Sequence, residues 1–196
     1  MLSVITNRRS IRKYKELDIP RHMIEKILQS GILAPSSKNR QPWKFIVVTG
    51  NAKKDILAAM EKGLIREKEH PLLPESAKYL SGAEYTLKIM DQAPVIIFIV
   101  NSFGLDIYSS LKPEERIYEI CNAQSIGAAI ENMMLTAAEL GLGSLWICDT
   151  YFAYKELCDS LNVEGELFAA MAVGYADENP IARPRKSMAD IVEWRN

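Results

Sequence analysis

Apolar side chains recur at helical spacing in several parts of the chain. The predicted helices follow Pro20, run from Lys53 to about Lys68, run from Pro113 to Leu140, and run from about Phe152 to Leu161. The segment around His70–Pro74 must end the second of these, because proline cannot continue a helix. Gly141 is a natural end for the third. The polar stretch Glu75–Gln92 is interpreted as either a helix or a mobile lid.

Short segments rich in β-branched and other apolar residues are predicted to be strands. They are Trp43–Thr49, Pro94–Val100, Ser144–Cys148 and Phe168–Gly174. We expect Trp43–Thr49 to be buried and Pro94–Val100, which is apolar at every position, to be the central strand with helices on both faces. The pattern predicts a mixed α/β sheet in one domain over residues 1–196, followed by an extended tail around 179–186, where two prolines forbid a helix.

The middle of the long predicted helix, Gly127–Ala138, is apolar almost all round and rich in small residues. Such a pattern requires other elements to pack on every side of the helix. A subunit interface and the core of a monomer explain it equally well.

The composition of the chain argues against a nucleic-acid-binding or a membrane protein. The chain has 196 residues, 48% of them apolar and 25% charged, with 24 basic and 25 acidic side chains. This balance is typical of an ordinary globular protein and gives no overall reason to bind nucleic acid or an anionic membrane. No apolar run approaches the ~20 residues that span a bilayer. There is no signal-peptide pattern, so we expect a cytoplasmic protein with no membrane or nucleic-acid partner.

Cysteine and histidine usage argues against several chemistries. The three cysteines lack CxxC spacing, so neither a disulfide framework nor a structural zinc site is expected. With only two histidines, a histidine triad or a multi-histidine metal site is improbable, and no metal is predicted. Cys148 ends a predicted strand and is either a nucleophile or, more commonly for such a cysteine, a small buried thiol.

Two basic clusters are candidate anion sites. The first contains Arg8, Arg9, Ser10 and Arg12, and the second contains Arg183 and Arg185 in the stiff tail. The fork of donors on arginine matches the geometry of a phosphate group. A solvated basic stretch is the simpler explanation of either cluster taken alone.

The loop before the first predicted strand is polar and bounded by prolines. Its side chains can donate and accept hydrogen bonds at the edge of a heteroaromatic ring, although a turn-rich connection has a similar composition. The candidates are Pro35, Ser36, Ser37, Asn39 and Gln41. A dinucleotide fingerprint is excluded at Gly141–Ser144, because its glycines precede a strand and the third glycine is missing.

Taken together, the Arg8–Arg12 motif, the Pro35–Trp43 loop, the Leu140–Gly143 helix end and the Arg183–Lys186 tail resemble the nitroreductase family of flavoenzymes. Their order and spacing match over nearly the whole chain. The resemblance implies an α+β fold, a homodimer with interlocked termini, and one FMN in each of two sites at the dimer interface. It also implies NADH or NADPH as hydride donor, a small-molecule electron acceptor such as a nitroaromatic or a quinone, and ping-pong kinetics.

The resemblance also assigns roles to individual residues, with the flavin carrying the chemistry and no catalytic side chain needed. Arg8, Arg9, Ser10 and Arg12 match the motif that binds the FMN phosphate, ribityl chain and pyrimidine edge, and the tail arginines match the pair that closes on the phosphate. The Pro35 loop residues match a loop that reaches the flavin from the partner subunit. Cys148 and Asp149 lie where the family usually places a glycine near flavin N5, so that contact and the local potential are expected to differ here.

Two other functions fit the same residues. The chain can be an FMN-binding protein without turnover, or a phosphate-binding module that holds no flavin. Bound flavin that NAD(P)H cannot reduce indicates the first, and a colourless protein indifferent to FMN indicates the second. The segment between Gly63 and Gln92, where the family has its variable lid, cannot be matched.

Overall fold

The computed structural model describes residues 1–105 and 107–195. Four strands form its central sheet in the order β1-β2-β4-β3: β1 (Trp43–Thr49), β2 (Val95–Asn101), β3 (Gly143–Ile147) and β4 (Glu166–Gly174). The expected α+β class and the central place of Pro94–Val100 are confirmed. The expected mixed sheet is corrected, since these strands all pair antiparallel. Because β2 and β3 both run antiparallel to β4, which lies between them, they are parallel to each other, and the helix Pro113–Glu139 is the crossover connection that joins them.

Helices cover both faces of the sheet. The α-helices are α1 (Ser3–Asn7), α2 (Arg21–Ile32), α3 (Ala52–Glu69), α4 (Leu80–Gln92), α5 (Pro113–Glu139), α6 (Tyr154–Leu161) and α7 (Met188–Ile191), with 3-10 turns at Ser37–Asn39, Pro74–Tyr79 and Asp149–Ala153. The helices predicted after Pro20 and Lys53 and before Gly141 are confirmed. Glu75–Gln92 is mostly α4, which buries Ala83, Thr86, Ile89 and Met90.

Strand alternation divides the core into two apolar clusters. Ile96, Phe98 and Val100 of β2 pack with α3, α4 and α6 on one face, and Val95, Ile97 and Ile99 pack with α2 and α5 on the other. Successive side chains of a strand point to opposite faces. A strand that is apolar at every position is therefore one whose two faces are both covered.

β1 corrects one expectation. It lies at the sheet edge, and only Val48 of its residues is buried. The other residues of β1 are half-buried or exposed. The strand predicted to be buried at Trp43–Thr49 is therefore an edge strand. β-Branched residues suit half-buried and fully buried strands alike, which is why composition did not separate the two.

α5 packs one face on the sheet and leaves the other partly open. Ile126, Ile130 and Met133 are fully buried, whereas Gly127 and Ala128 are only half-buried. The helix therefore belongs to the core of its own subunit on one side. Gly141 follows its last turn with φ +75°, a left-handed conformation that glycine adopts without steric cost.

In the part of the chain that is described, no helix is long and apolar enough to cross a membrane. Residues 178–186 form neither a helix nor a strand, as expected from their prolines, and residues 181–195 are exposed.

Candidate functional site

The two basic clusters lie together although they are far apart in sequence. A cavity of about 430 Å³ is lined by both: Ile5, Thr6, Arg8, Arg9, Ser10, Arg12, Pro180, Ile181, Ala182, Arg183 and Arg185. Five arginine residues thus line one space, whose volume is within the ~300–1,000 Å³ typical of ligand pockets. Two basic segments that were merely solvated would have no reason to lie side by side around one cavity.

Backbone pairing explains the convergence. The N–H of Ile11 donates to the carbonyl of Ser144 at 3.0 Å, which fixes the N-terminal segment beside the start of β3. The N–H of Lys15 donates to Tyr175 O, and the N–H of Asp177 donates to Lys13 O, both at 2.9 Å. The N-terminal segment therefore runs along the continuation of β4. This pairing carries the tail arginines to the same place as the first cluster.

A close approach at Gly143 makes this docking possible. A Cβ at this position would lie 2.8 Å from Ile11 Cγ1, well inside van der Waals contact. Any larger residue would push the N-terminal segment away from β3. The Leu140–Gly143 motif thus serves both the end of α5 and the placement of the arginines.

The charge of the cavity is largely uncompensated. Arg8 Nε lies 3.9 Å from Glu131 Oε1. In the part of the chain that the structure describes, no carboxylate lies within ion-pair distance of the Arg9, Arg12, Arg183 or Arg185 side chains. Arg9 and Arg12 donate to nearby carbonyls, those of Thr6 and Ser10 among them. Several guanidinium donors without a carboxylate suit an anion with many acceptors, such as a phosphate monoester.

The Ser36–Gln41 loop has an unusual backbone. Lys38, Asn39 and Gln41 have φ values of 51°, 52° and 49°, in the left-handed region. A non-glycine residue there costs about 1–2 kcal/mol. The loop is held by the Ser37 N–H, which donates to Ser125 Oγ at 3.2 Å, and by the Gln41 N–H, which donates to Ser36 Oγ at 3.0 Å. Strain retained in this way is common at functional sites.

The residues of this loop do not line the arginine cavity of their own subunit. None of Pro35–Gln41 lines it, and Pro35, Ser37, Asn39 and Gln41 are exposed. Within one subunit, the structure therefore does not bring the loop and the basic clusters into one cavity.

Cys148 and Asp149 form a turn directly after β3. Cys148 is exposed, so the expected buried thiol is wrong. Neighbouring protein atoms that partly exclude water from the sulfur, together with the Asp149 charge, raise the pKa of this thiol. A thiol kept protonated is a poor nucleophile. Asp149 Oδ2 accepts a hydrogen bond from Thr86 Oγ1 at 2.5 Å, which ties the turn to α4.

β3 sets the separation between this turn and the arginines. Ser144 at the start of the strand holds Ile11, and Cys148 follows its last residue. Four residues of strand span roughly 13 Å at ~3.3 Å per residue. The turn and the anion cavity are therefore two ends of one extended region.

Sequence reasoning missed several polar residues that shape this region. Glu178 accepts a hydrogen bond from the Arg12 N–H, and Asn101, Glu119 and Glu166 form a hydrogen-bonded group at the end of β2. An acidic residue inside a basic tail, and an asparagine that closes a fully apolar strand, were the available signals. Among the described residues there is no group of histidine, cysteine or carboxylate side chains that could hold a metal ion.

Comparison with known proteins supplies the family. A sequence model described as the nitroreductase family matches residues 5–175. A protein of Methanothermobacter thermautotrophicus, provisionally named NADH dehydrogenase/NAD(P)H nitroreductase, is 30% identical over 188 residues, 93% of this chain and 81% of its own length.

Solved structures have the same fold. A provisionally named nitroreductase from Desulfovibrio desulfuricans, crystallised with FMN, superposes with a TM-score of 0.72 at 26% identity, over 99% of this chain and 95% of its own. The FMN-dependent nitroreductase NfnB from Mycobacterium smegmatis, solved in complex with NADPH, has a TM-score of 0.75 at 18% identity, over 98% and 96%. With the family match covering most of its length, this chain belongs to the nitroreductase family.

Proposed function

We propose that this protein is an FMN-dependent oxidoreductase that takes hydride from NADH or NADPH and passes electrons to a small electrophile such as a nitroaromatic or a quinone. The observation that carries the proposal is the cavity in which Arg8, Arg9, Arg12, Arg183 and Arg185 converge. The FMN of the Desulfovibrio relative and the NADPH of the Mycobacterium relative support the choice of cofactor and donor.

The donor set of the cavity fits FMN. A phosphate monoester needs several charged donors when it is partly removed from water, because an underpaired buried charge is costly. The arginines supply them, and Ser10 adds a hydroxyl suited to a sugar-like chain. The Cys148–Asp149 turn lies at the far end of β3, so the ring would lie toward this turn and the phosphate toward Arg183 and Arg185. FMN supplies the redox chemistry when it is bound.

The protein contributes binding, orientation and electrostatics. Arg12 places positive charge at the cavity, which favours negative charge on a reduced ligand. Asp149 has the opposite effect beside the turn and is held in place by Thr86. Because NAD(P)H and the acceptor would use one open face in turn, ping-pong kinetics are expected.

We further propose a homodimer in which the Ser36–Gln41 loop completes the partner's site. Large apolar side chains are exposed on the tail, including Ile181, Met188 and Trp194, which are 92%, 67% and 79% accessible, and Ile117 and Ile120 are exposed on α5. These exposed apolar side chains support an interface with a second chain. A partner would also cover the outer edge of β1.

One spectroscopic experiment tests the enzyme. The purified protein is expected to be yellow, and its absorbance near 450 nm is expected to bleach when NADH or NADPH is added without oxygen. Flavin that neither nucleotide reduces would indicate an FMN-binding protein without turnover. A colourless protein that does not take up FMN would indicate a different phosphate ligand. Light scattering that gives the mass of a single chain at full flavin occupancy would overturn the dimer.

A further inference from the structure

Arg40 lies near the end of the strained Ser36–Gln41 loop, yet its side chain is directed back into its own subunit. Its guanidinium carbon is 5.1 Å from the ring centroid of Phe103 and 5.1 Å from that of Tyr118. Phe103 follows β2, and Tyr118 is on α5. A planar guanidinium that contacts two aromatic rings makes favourable cation–π interactions with both. Arg40 thus joins the loop to two elements of the core.

A pair of carboxyl groups lies beside this contact. The Asn101 amide nitrogen donates to Glu119 Oε2 at 3.2 Å and to Glu166 Oε2 at 3.3 Å. The Asn101 amide oxygen accepts the N–H of Phe103 at 3.2 Å. One asparagine, only 1% exposed, therefore connects the carboxyl pair to a ring that contacts Arg40.

The two carboxyl groups also interact with each other. Burial and the neighbouring Glu119 raise the pKa of Glu166 to about 7, although the hydrogen bond from Asn101 opposes this. Burial likewise raises the pKa of Glu119, while Arg40 and hydrogen bonds from Glu166 and the Leu105 N–H lower it. Below about pH 7 the two neighbouring carboxyl groups therefore retain a proton between them, and above it they lose this proton.

The groups packed around the pair define its electrostatics. Arg40 approaches from the loop, and Tyr151 and Tyr154 approach from the segment after β3, with phenol pKa values raised by burial and by Glu166. A Cβ on Gly104 would lie 2.4 Å from Glu166 Cβ, so residues 102–105 cover the pair closely. Among residues 1–105 and 107–195, neither carboxylate has a cation within 4.0 Å.

We propose that Arg40 is a positioning residue for the Ser36–Gln41 loop, and that the proton shared by Glu119 and Glu166 determines how firmly Arg40 is held. With the proton present, the pair and Asn101 hold Phe103 against the guanidinium. Loss of the proton leaves two negative charges on carboxyl groups that accept from the same Asn101 amide nitrogen, and their mutual repulsion disturbs the hydrogen bonds by which Asn101 holds Phe103. The contact then loosens and the loop opens. The consequence for flavin rests on the proposed function, in which this loop lines the partner's site.

Hydrogen exchange of the full-length protein tests the proposal without reference to flavin. Exchange of a peptide covering residues 33–45 is compared at about pH 6 and about pH 8, after correction for the intrinsic pH dependence of exchange. In the unchanged protein, opening of the loop is expected to be several-fold more frequent at the higher pH. Arg40→Met is expected to increase opening about tenfold at both values, the effect of losing cation–π contacts worth about 1–2 kcal/mol. Arg40→Lys, which keeps the charge but not the planar face, is expected to recover only part of the protection.

Two further variants make the outcome decisive. Glu166→Gln keeps an amide in place of the protonated acid and is expected to remove the pH dependence while leaving loop protection at its low-pH level. Arg21→Met is the matched control, since Arg21 is exposed on α2 and bonds only to Glu25 among the described residues. Unchanged protection in Arg40→Met, or an undiminished pH dependence in Glu166→Gln, would overturn the proposal. Absence of FMN binding would instead overturn the proposed function and leave this test intact.

Discussion

The backbone N–H of Arg12 donates a hydrogen bond to the carboxylate of Glu178, across 166 positions of sequence. This bond joins the N-terminal basic segment to the beginning of the basic tail. It explains how two clusters that are unremarkable alone come to line one cavity.

Removal of the Glu178 carboxylate is expected to loosen this junction. A hydrogen bond to a charged group contributes about 1.5–3 kcal/mol, and since this one is only partly buried, Glu178→Ala should lower the free energy of unfolding by about 1–2 kcal/mol. Glu178→Gln, which retains an acceptor oxygen, should cost less. Urea denaturation measures both, with Asp177→Ala as the control on an exposed neighbour. Equal losses for the alanine and glutamine variants would contradict the assigned bond.

The tail arginines are expected to recognise the phosphate. Arg183→Ala combined with Arg185→Ala should weaken FMN binding by about 2–5 kcal/mol, the scale of truncating one side of a desolvated charge pair. Riboflavin lacks the phosphate and should be far less sensitive. Fluorescence titration of the apoprotein with both ligands makes the comparison, and Lys186→Ala, outside the cavity lining, is the control. Equal losses for FMN and riboflavin would show that these arginines do not read the phosphate.

Local pattern predicted the elements well because their signals are local. Pro20, Gly141 and the apolar run Pro94–Val100 each act through their own backbone or their immediate neighbours. The class of fold and the helix and strand order followed from them. The edge position of β1 did not, since half-buried and fully buried strands share one composition.

The candidate site depended on contacts that no local pattern contains. The arginine motifs were visible as types of residue, but their meeting depends on the pairing of residues 13–15 with 175–177. Asn101 at the end of a fully apolar strand was a signal, but its two partners were not, because Glu119 and Glu166 come from separate elements and look like ordinary surface acids. Whether the Ser36–Gln41 loop lines the site of its own subunit or that of a partner depends on how two chains pack together. The pattern of residues along one chain does not specify that packing.

Arg12 is expected to tune the flavin potential. Electrons added to the ring system bring negative charge, which a nearby guanidinium stabilises, so Arg12→Ala should make the FMN midpoint potential more negative by about 30 mV, equivalent to about 1.4 kcal/mol for two electrons. Arg12→Lys should restore most of the difference. Spectroelectrochemistry at full flavin occupancy measures the potential. An unchanged value in Arg12→Ala would place this guanidinium away from the ring.

Glu166 is expected to make stability depend on pH. Its pKa is raised from 4.5 to about 7 in the folded protein, so the folded state binds more protons than the unfolded state between those values. Stability from this group is fully present below about pH 4.5 and is lost as pH rises through about 7. Because the side chain is partly accessible, the loss should be about 1–2 kcal/mol. Glu166→Gln should flatten the unfolding free energy over this range, measured by urea denaturation at several pH values. A profile as steep as that of the unchanged protein would assign the effect to another group.

Arg66 is expected to be indispensable to the junction of α3 with the turn that follows β3. Its guanidinium donates to Glu156 at 2.9 Å, to the Phe152 carbonyl at 3.1 Å and to Glu67 at 2.5 Å. Glu67 is 4% exposed and also accepts the N–H groups of Leu72 and Leu73, which fixes the start of the segment after α3. Hydrogen bonds with Glu156, the largest influence, raise the pKa of Arg66, so this cation stays charged at any ordinary pH.

Arg66→Met should therefore lower the free energy of unfolding by about 3 kcal/mol, the cost of leaving a buried carboxylate without its cation. Adding Glu67→Gln should make the double variant more stable than Arg66→Met alone, because a neutral amide oxygen still accepts a backbone N–H but carries no unpaired charge. In the unchanged background Glu67→Gln should instead destabilise, since Arg66 then loses a partner. Urea denaturation of the four proteins gives this reversal of sign directly. If Glu67→Gln lowers stability equally in both backgrounds, the two side chains act independently and the charge of Glu67 does not depend on Arg66.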